Sequence, residues 1–536
     1  MANQSSATVN VVDQLVQQPK SHLVVEASDV QTMMDRYQFS EETRRIIETE
    51  KLLPLGVLSR LQANYPQHSG LMETKPFLFN VGTNYAGLSG FRKVCGVLKE
   101  NGIQLSEIKE REFYIEVYRF LATSHSLNSI NWEDYETDSV FQLVLPQPGM
   151  CAPDETEAYV AAQNDAERAK IVKVYTEKTN PHDGNQKLNK PWFVNNEGQV
   201  EFVEGSQHKY PQCQLVFDTT TQNCFSFCTY CFRHAQVRGD EDMFLQKDID
   251  QLHNYLREHK EVSDLLITGG DGGFMPADRF EQYIRPIIED PELNHIRNIR
   301  LGTRSLTFLP ELILTEKYGK MLELFDLLYE NGIQMAWMAH FSTPREILNP
   351  RTIAAIRRLK DHKVFIRSQS PIMNHISLFT DENGKVDVDR SAQSWIDLAN
   401  ILAMLGLGFH SMYAARPTGE HHYFTAPLAD IERIFSKIYN SLSSINRPSR
   451  HISMTISAGK LAIMGTSVIG GEKCFALQFT EGRNMEWMNR IFHAKYDEQK
   501  NKIDLLLPFD TEKYFFADEL KEIEENLTEA LRKRLN

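Results

Sequence analysis

Short apolar runs alternate with longer amphipathic stretches along the chain from about residue 208 onward. Runs bounded by turn residues predict buried strands, and stretches with an apolar residue at every third or fourth position predict helices. This alternation is typical of an α/β fold with a parallel sheet. We predict a sheet that curls into a partial (β/α) barrel, with strands at 215–217, 264–268, 296–302, 334–340, 364–369 and 409–413 and helices at 246–260, 278–288, 319–331, 352–360 and 392–405.

The chain before residue 200 has a different pattern. Helical periodicity begins after Ser40, a suitable N-cap, and returns within 86–123 and 165–179. Residues 1–150 contain no motif that carries chemistry. We predict three parts, namely a helical accessory region over 1–200, the partial barrel over 205–430, and a C-terminal α+β region with a terminal helix over 431–536.

Composition narrows the classes of function. The 536-residue chain is 41% hydrophobic, which is enough for a full core, and its net charge is −14. This negative charge argues against nucleic acids and anionic membranes as partners. The start has no signal-peptide pattern, and no apolar run approaches the ~18 residues of a membrane span. The seven cysteines are an odd number and do not form a disulfide pattern, so we expect a cytoplasmic protein.

Three cysteines stand close together just after the predicted strand 215–217. Cys224, Cys228 and Cys231 have the spacing C-x3-C-x2-C. Clustered thiolates bind iron–sulfur clusters or zinc, but a structural zinc site usually takes four ligands in two pairs. The other cysteines are isolated along the chain. Two interpretations stay open from the residues alone: three ligands of a four-iron cluster with one iron free, or thiols that act as small apolar side chains or as part of a zinc site.

The cysteine segment, 224–231, resembles the signature of radical S-adenosylmethionine (SAM) enzymes, which has this spacing and an aromatic residue before the last cysteine. The resemblance implies a [4Fe-4S] cluster on the three cysteines. It also implies that SAM binds the open iron and is cleaved to methionine and a 5′-deoxyadenosyl radical. The segment 268–273 is similar to the element of that family that contacts the SAM amino group, which implies this role for Gly269, Gly270 and Asp271.

Further motifs are similar to those of the lysine 2,3-aminomutase group. Their order and spacing over residues 205–465 carry the resemblance. It implies that Arg304, His340 and Gln369 help to bind the cofactors. The motifs are His208-Lys209-Tyr210-Pro211, Arg300-Leu301-Gly302-Thr303-Arg304, His340-Phe341-Ser342-Thr343-Pro344-Arg345-Glu346, Gln369-Ser370 and Tyr423-Phe424-Thr425-Ala426-Pro427.

That group also uses pyridoxal phosphate (PLP), which a lysine in a loop near the end of the barrel binds. The matching residue is Lys460, and the resemblance implies that its amine binds the PLP aldehyde and exchanges it for the substrate amine. One glycine, Gly459, stands where the group has several, and a surface lysine after a turn is the alternative. Arg233 matches an arginine that helps to hold the substrate carboxylate.

The residues that match the distal end of the substrate pocket differ from those of the lysine 2,3-aminomutase group. The lysine enzyme meets the distal ammonium of its substrate with two aspartates, and the matching positions hold Arg416 and a residue near Ser453. An arginine repels an ammonium and pairs with a carboxylate. We predict that the substrate is glutamate-like rather than lysine. The alternative is that Arg416 points away from the pocket or pairs with Glu420 nearby.

These inferences predict a radical SAM isomerase that moves an amino group between adjacent carbons of an amino acid, through the 5′-deoxyadenosyl radical and a PLP imine. Two alternatives stay open: a radical SAM enzyme without functional PLP that abstracts hydrogen for another reaction, and a non-catalytic iron–sulfur protein. The expected partners are a small amino-acid substrate and an electron donor such as a reductase, a flavodoxin or a ferredoxin. A homo-oligomer is compatible with the sequence.

Overall fold

A computed structural model describes residues 39–49, 78–179, 187–194, 197–239, 244–416 and 419–535. In chain order, its strands are β1 (Asn84–Ala86), β2 (Leu121–Thr123), β3 (Trp192–Val194), β4 (Val200–Phe202), β5 (Ser206–Tyr210), β6 (Cys213–Phe217), β7 (Asp264–Thr268), β8 (Asn298–Thr303), β9 (Gln334–Ala339), β10 (Phe365–Ile372), β11 (Gly408–Ala414), β12 (Ile452–Thr455), β13 (Gly459–Ile469), β14 (Glu472–Gly482) and β15 (Ile491–Lys495).

The helices fall before, between and after these strands. Their bounds are Glu41–Thr49, Gly87–Glu100, Ile108–Val117, Ser124–Asn128, Ser139–Val144, Pro153–Ala161, Asp165–Lys178, His234–Arg238, Ile249–Glu258, Ala277–Glu289, Ser305–Phe308, Glu311–Leu314, Gly319–Glu330, Pro344–Ile347, Pro350–Asp361, Val388–Met404, His421–Phe424, Leu428–Ser441 and Ala517–Leu535. None of these helices is both long and apolar enough to span a membrane.

One large sheet holds strands β5 to β15 in sequence order. Strands β6 to β12 run parallel, β5 pairs antiparallel with β6, and β12 to β15 pair antiparallel with one another. The α/β class and the parallel sheet are therefore confirmed. No backbone ladder joins β5 to β15 within the described residues, so the curl into a partial barrel stays a prediction.

The parallel strands have one apolar face and one polar face. On β8, Ile299 and Leu301 are buried in the main core against the surrounding helices, whereas Arg300 points to the other side. Strand register places further polar side chains on the same face as Arg300. Because parallel sheets are usually apolar on both faces, a polar face indicates a functional surface. It carries Asp264, Arg300, Arg367, Gln369, Tyr413, Ser453, Lys460 and Glu481.

The N-terminal helices form a second, aromatic core with the short ladder of β1 and β2. Phe91, Phe113 and Phe141 lie in this core, almost fully buried. Helical periodicity within 86–123 is confirmed, except that the chain turns into β2 at Leu121. The main sheet continues from β11 into β12 across residue 430, and the predicted division into three parts stays a prediction.

Candidate active site

The predicted site residues lie at the carboxyl ends of the parallel strands or on the polar face. Ligands of open α/β sheets bind at the carboxyl ends of the strands. The cysteine segment follows β6, Gly269–Asp271 follow β7, and the other predicted residues follow or belong to the next strands. They are Arg304 after β8, His340 after β9, Gln369 in β10, Arg416 after β11 and Lys460 in β13.

The three cysteine thiols of the segment after β6 lie in surroundings that favour the neutral thiol. They form no disulfide and are partly buried. Burial raises the pKa of Cys228 to about 11, although Arg304 opposes the shift. Burial and the neighbouring Cys228 together raise the pKa of Cys231 to about 12. These directions favour the neutral thiols in the free protein, and a bound metal cation would favour the thiolates.

Glycines after β7 allow its turn to pack directly on the cysteine segment. A Cβ on Gly270 would lie 2.6 Å from the carbonyl oxygen of Asn223 and 3.0 Å from Sγ of Cys224. Gly269 has a φ of +143°, and a Cβ there would lie 2.7 Å from the carbonyl oxygen of Thr221. The lack of a side chain at these glycines thus permits the close approach of a neighbouring loop.

Asp271 links the turn after β7 to the end of β8. Its Oδ1 accepts from the backbone N–H of Gly273 at 2.8 Å, and its Oδ2 accepts from the N–H of Arg304 at 2.9 Å. The side chain is buried, and burial raises its pKa to about 6 against the opposing hydrogen bonds. The carboxylate therefore has a structural use in this site besides the predicted contact with SAM.

Arg304 is anchored by the carboxylate of the His340–Glu346 motif. Its Nη1 lies 3.3 Å from Oε1 of Glu346, and both side chains are less than a tenth exposed. Oε2 of Glu346 accepts from the backbone N–H groups of Ser342 and Thr343 at 2.6 and 3.0 Å. The capping box at Thr343 thus holds the carboxylate under the arginine.

Replacing Glu346 with alanine is expected to lower the free energy of unfolding by about 3–5 kcal/mol, because it leaves a buried guanidinium unpaired. Chemical denaturation of the cluster-free protein measures the effect. Glu281→Ala is the matched control, since Glu281 pairs with Arg285 on an exposed helix surface and should cost about 1 kcal/mol or less. Equal losses for the two variants would contradict this assignment.

A chain of polar contacts crosses the polar face from His340 to Tyr413. Nε2 of His340 lies 3.3 Å from Nε2 of Gln369, and Oε1 of Gln369 accepts from the hydroxyl of Tyr413 at 2.9 Å. Burial, aided by the charges of Arg304 and Arg233, lowers the pKa of His340 to about 3. The imidazole is therefore neutral at pH 7 and accepts at Nε2 from the Gln369 amide.

Lys460 lies beside this chain of contacts. It is the second residue of β13, so it belongs to a strand rather than to the predicted loop. Its Nζ is 5.4 Å from the ring centre of Tyr413 and 3.6 Å from Oε2 of Glu481, and the side chain is 20% exposed. Burial opposes a charge here, yet Tyr413 and Glu481 outweigh it and raise the pKa of Lys460. The free amine is thus a cation paired with Glu481.

Two arginines flank Phe232 where the parallel strands end. The guanidinium carbon of Arg233 lies 5.1 Å from the ring centre of Phe232, and that of Arg416 lies 5.0 Å from it. Burial and the charge of Arg416 lower the pKa of Arg233 to about 10. Arg233 donates to Thr268 Oγ1. Both guanidinium groups lie over the Phe232 ring, and their positive charges favour an anion near them.

Glu420 is not the partner of Arg416. Its carboxylate is 3% exposed and accepts from the hydroxyl groups of Tyr118 and Tyr175 at 2.9 and 2.8 Å. Within the part of the chain that the structure describes, no carboxylate forms an ion pair with Arg416. The alternative drawn from the sequence, a local pair with Glu420, is therefore wrong, because tyrosines of the N-terminal helices occupy that carboxylate.

Several residues of this region were not predicted from sequence. Tyr413 was visible as the last apolar position of a predicted strand, but its contact with Lys460 depends on strand register. Glu481 faces Lys460 only because β13 and β14 pair antiparallel. Glu346 belonged to a recognised motif, whose pairing with Arg304 spans 42 residues.

Comparisons with known proteins agree with the motifs. No family model matches the chain. A provisionally named L-lysine 2,3-aminomutase of Aquifex aeolicus is 26% identical over 51% of this chain and 67% of its own length. Glutamate 2,3-aminomutase of Clostridioides difficile is 31% identical over 32% of this chain and 37% of its own length. L-lysine 2,3-aminomutase of Clostridium subterminale is 28% identical over 33% of this chain and 39% of its own length.

Among solved structures, a radical SAM methyltransferase from Sphaerobacter thermophilus matches 68% of this chain and 94% of its own, at 14% identity and a TM-score of 0.31. A likeness this loose carries no argument. The sequence matches span less than two fifths of the two clostridial relatives named above. The relatives named above are nevertheless all lysine or glutamate 2,3-aminomutases by name, and the motifs occur in order along this chain. Over a third to a half of its length, the chain is therefore similar in sequence to L-lysine and glutamate 2,3-aminomutases.

Proposed function

We propose that this protein is a radical SAM aminomutase that shifts the amino group of an amino acid with an acidic side chain to the adjacent carbon. The observation that carries the proposal is the arrangement at the carboxyl ends of the strands. Three free cysteines, two arginines and Lys460 lie around one polar face, and no carboxylate among the residues that the structure describes forms an ion pair with either arginine. The names of the relatives support the class of reaction, and the arginines support the class of substrate.

Cys224, Cys228 and Cys231 are the proposed ligands of a four-iron cluster. Burial favours their neutral thiols, so a cationic cluster is the partner that stabilises them as thiolates. The turn after β7 packs on this segment and is proposed to contact SAM through Gly269, Gly270 and Asp271. When bound, the cluster supplies the electron that cleaves SAM, and PLP supplies an aldehyde that activates the substrate amine.

Lys460 is the proposed PLP lysine, and the surrounding charges fit a phosphate monoester. Lys209 donates to the carbonyl of Ile456, and Nε of Arg483 donates to the carbonyl of Ser457 at 2.9 Å. Both side chains thus lie against the turn that leads into Lys460, although burial and the charge of Arg483 lower the pKa of Lys209 well below its usual range. Among the residues that the structure describes, none forms a hydrogen bond with the buried hydroxyl of Ser453 on the polar face. An unpaired buried hydroxyl suits a polar ligand atom.

The residues of this chain have separate tasks in the proposed reaction. Arg233 and Arg416 hold the two carboxylates of the substrate and fix its orientation. Neutral His340, held by Gln369, accepts a hydrogen bond without adding charge. Glu481 accepts the proton that Lys460 must lose before its amine can act as a nucleophile.

A charge reversal at Arg416 tests the substrate assignment. Arg416→Asp should lower turnover of glutamate by about 100-fold, because it removes a charge-assisted pair and adds repulsion. SAM binding should stay unchanged. Chromatography of β-amino products from glutamate, glutamine, arginine and lysine gives the measurement, with the exposed Arg490→Asp as the control. Efficient turnover of lysine by the unmodified enzyme would refute the charge argument.

A second candidate is a radical SAM enzyme without functional PLP. The ion pair between Lys460 and Glu481 favours it, since a paired ammonium is a poor nucleophile. In that case Lys460 stabilises the sheet, and the polar face receives a substrate for another hydrogen abstraction. Either enzyme needs an external electron donor and a reducing compartment such as the cytoplasm. We also propose that β6–β12 curl as a partial barrel around the site.

A further inference from the structure

The backbone of the cysteine segment is held by the N-terminal helical region. The N–H of Phe227 donates to the carbonyl of Leu121 at 2.7 Å, and the N–H of Thr229 donates to the carbonyl of Leu143 at 2.9 Å. The hydroxyl of Tyr114 donates to the carbonyl of Thr229. Peptide groups between the first and last cysteine therefore find their partners outside the sheet.

Side chains of the cysteine segment also form hydrogen bonds with the N-terminal region. Oγ1 of Thr229 donates to the carbonyl of Gln142 at 2.7 Å, and Oγ of Ser226 accepts from the N–H of Thr123 at 3.1 Å. Phe225 and Phe227 belong to the aromatic core of the N-terminal helices, not to the core between the sheet and its helices. The segment is thus packed as part of the N-terminal region, although the sheet precedes it in the chain.

Besides the cysteine segment after β6, the same region contacts the loops after three further parallel strands, β8, β9 and β11. Tyr118 and Tyr175 enclose Glu420 after β11, as described above. Loops after the other strands are reached by equally direct contacts. After β8, Oγ1 of Thr123 donates to the carbonyl of Phe308, and Nδ1 of His125 lies 3.1 Å from Oε1 of Glu311. After β9, the hydroxyl groups of Ser139 and Thr343 are 3.0 Å apart, and Nε of Arg345 lies 3.3 Å from Oδ2 of Asp138.

We propose that residues 78–178 are the second wall of the active site, and that Tyr114 and Thr229 are positioning residues for the cysteines. This inference deepens the proposed function and rests on it for the cluster. The wall fixes the conformation of the cysteine segment and covers the edge of the sheet where the parallel strands end. Ordinary packing between two domains is the simpler interpretation, but it does not account for backbone bonds concentrated on 226–229.

The test removes single hydroxyl groups that form hydrogen bonds between residues 78–178 and the cysteine segment. Tyr114→Phe leaves the carbonyl of Thr229 without that donor, and Thr229→Val removes the bond to Gln142 while keeping the shape of the side chain. Tyr159→Phe is the matched control. Tyr159 is buried in the same region and stacks on Phe113, with its hydroxyl beside Glu116 instead of the cysteine segment.

The first measurement is amide hydrogen exchange in the full chain before a cluster is loaded. Exchange at residues 227 and 229 should accelerate about tenfold in Tyr114→Phe and Thr229→Val and stay within twofold of the parent in Tyr159→Phe. The second is the loss of cluster absorbance in air after anaerobic reconstitution. It should be several-fold faster in the first two variants only.

Equal exchange in all three variants would overturn the proposal, whatever the cluster does. Accelerated exchange with equal bleaching would also overturn the positioning role, because the segment would then loosen without effect on the metal site. A parent chain that assembles no cluster would refute the proposed function. The exchange measurement would still decide whether the N-terminal region holds the segment, so the two failures are distinguishable.

Discussion

Replacing Cys228 with alanine is expected to abolish SAM cleavage by the reconstituted protein. The segment provides three thiols, and a cluster that loses one of three ligands no longer has a stable open iron. Anaerobic reconstitution followed by chromatography of 5′-deoxyadenosine measures the loss, which should exceed a thousandfold. Iron content should fall with it.

The control for this loss is another free cysteine. Cys95 lies half-buried on the helix Gly87–Glu100, away from the segment, and Cys95→Ala should cleave SAM at the normal rate. If Cys228→Ala kept near-normal cleavage, the assignment of the three cysteines would be wrong. If both variants lost cleavage, the effect would reflect damage to the fold.

The second large effect is expected at Lys460. Borohydride reduction of the PLP-treated protein should leave a phosphopyridoxyl group on this lysine, which peptide mapping identifies. Lys460→Ala should lose the label and lose amino-group migration by at least a thousandfold, yet keep SAM cleavage. The split between the two activities follows because Lys460 lies on β13, whereas the cysteines follow β6.

Lys209 is the informative comparison for that experiment. It is a second lysine beside the turn that leads into Lys460, and its Nζ donates to the carbonyl of Ile456. A label on Lys209 would show that this lysine, and not Lys460, binds PLP. A PLP-saturated sample without any label would refute the aminomutase and favour the alternative in which Lys460 only neutralises Glu481.

The sequence predicted the sheet well because each parallel strand is a local signal. Strand β7 has the predicted bounds, 264–268, since an apolar run there ends in glycines and begins after polar residues. Predictions that depended on pairing between strands distant in sequence were less accurate. Lys460 was expected in a loop, and the ladders to β12 and β14 place it in a strand.

Side-chain partners were harder to predict than elements. The motif that ends in Glu346 was recognised as a string of residues, but its function as an anchor for Arg304 follows only from the fold. Glu420 is close to Arg416 in sequence, but its carboxylate accepts hydrogen bonds from two tyrosines of the N-terminal region instead. Residues 1–150 contained no recognisable motif, and the described part of this region contacts the cysteine segment through backbone groups and scattered hydroxyl groups, which no residue pattern encodes.

The most direct test of the central claim is isomerisation of glutamate by the reconstituted enzyme. The protein is loaded anaerobically with iron, sulfide, SAM and PLP, reduced with dithionite, and incubated with glutamate, and mass spectrometry after chromatography separates α- from β-amino isomers. We predict that 3-aminoglutarate accumulates over many turnovers and that omission of PLP prevents it. Cleavage of SAM without any β-amino product from glutamate, glutamine, arginine or lysine would contradict the account.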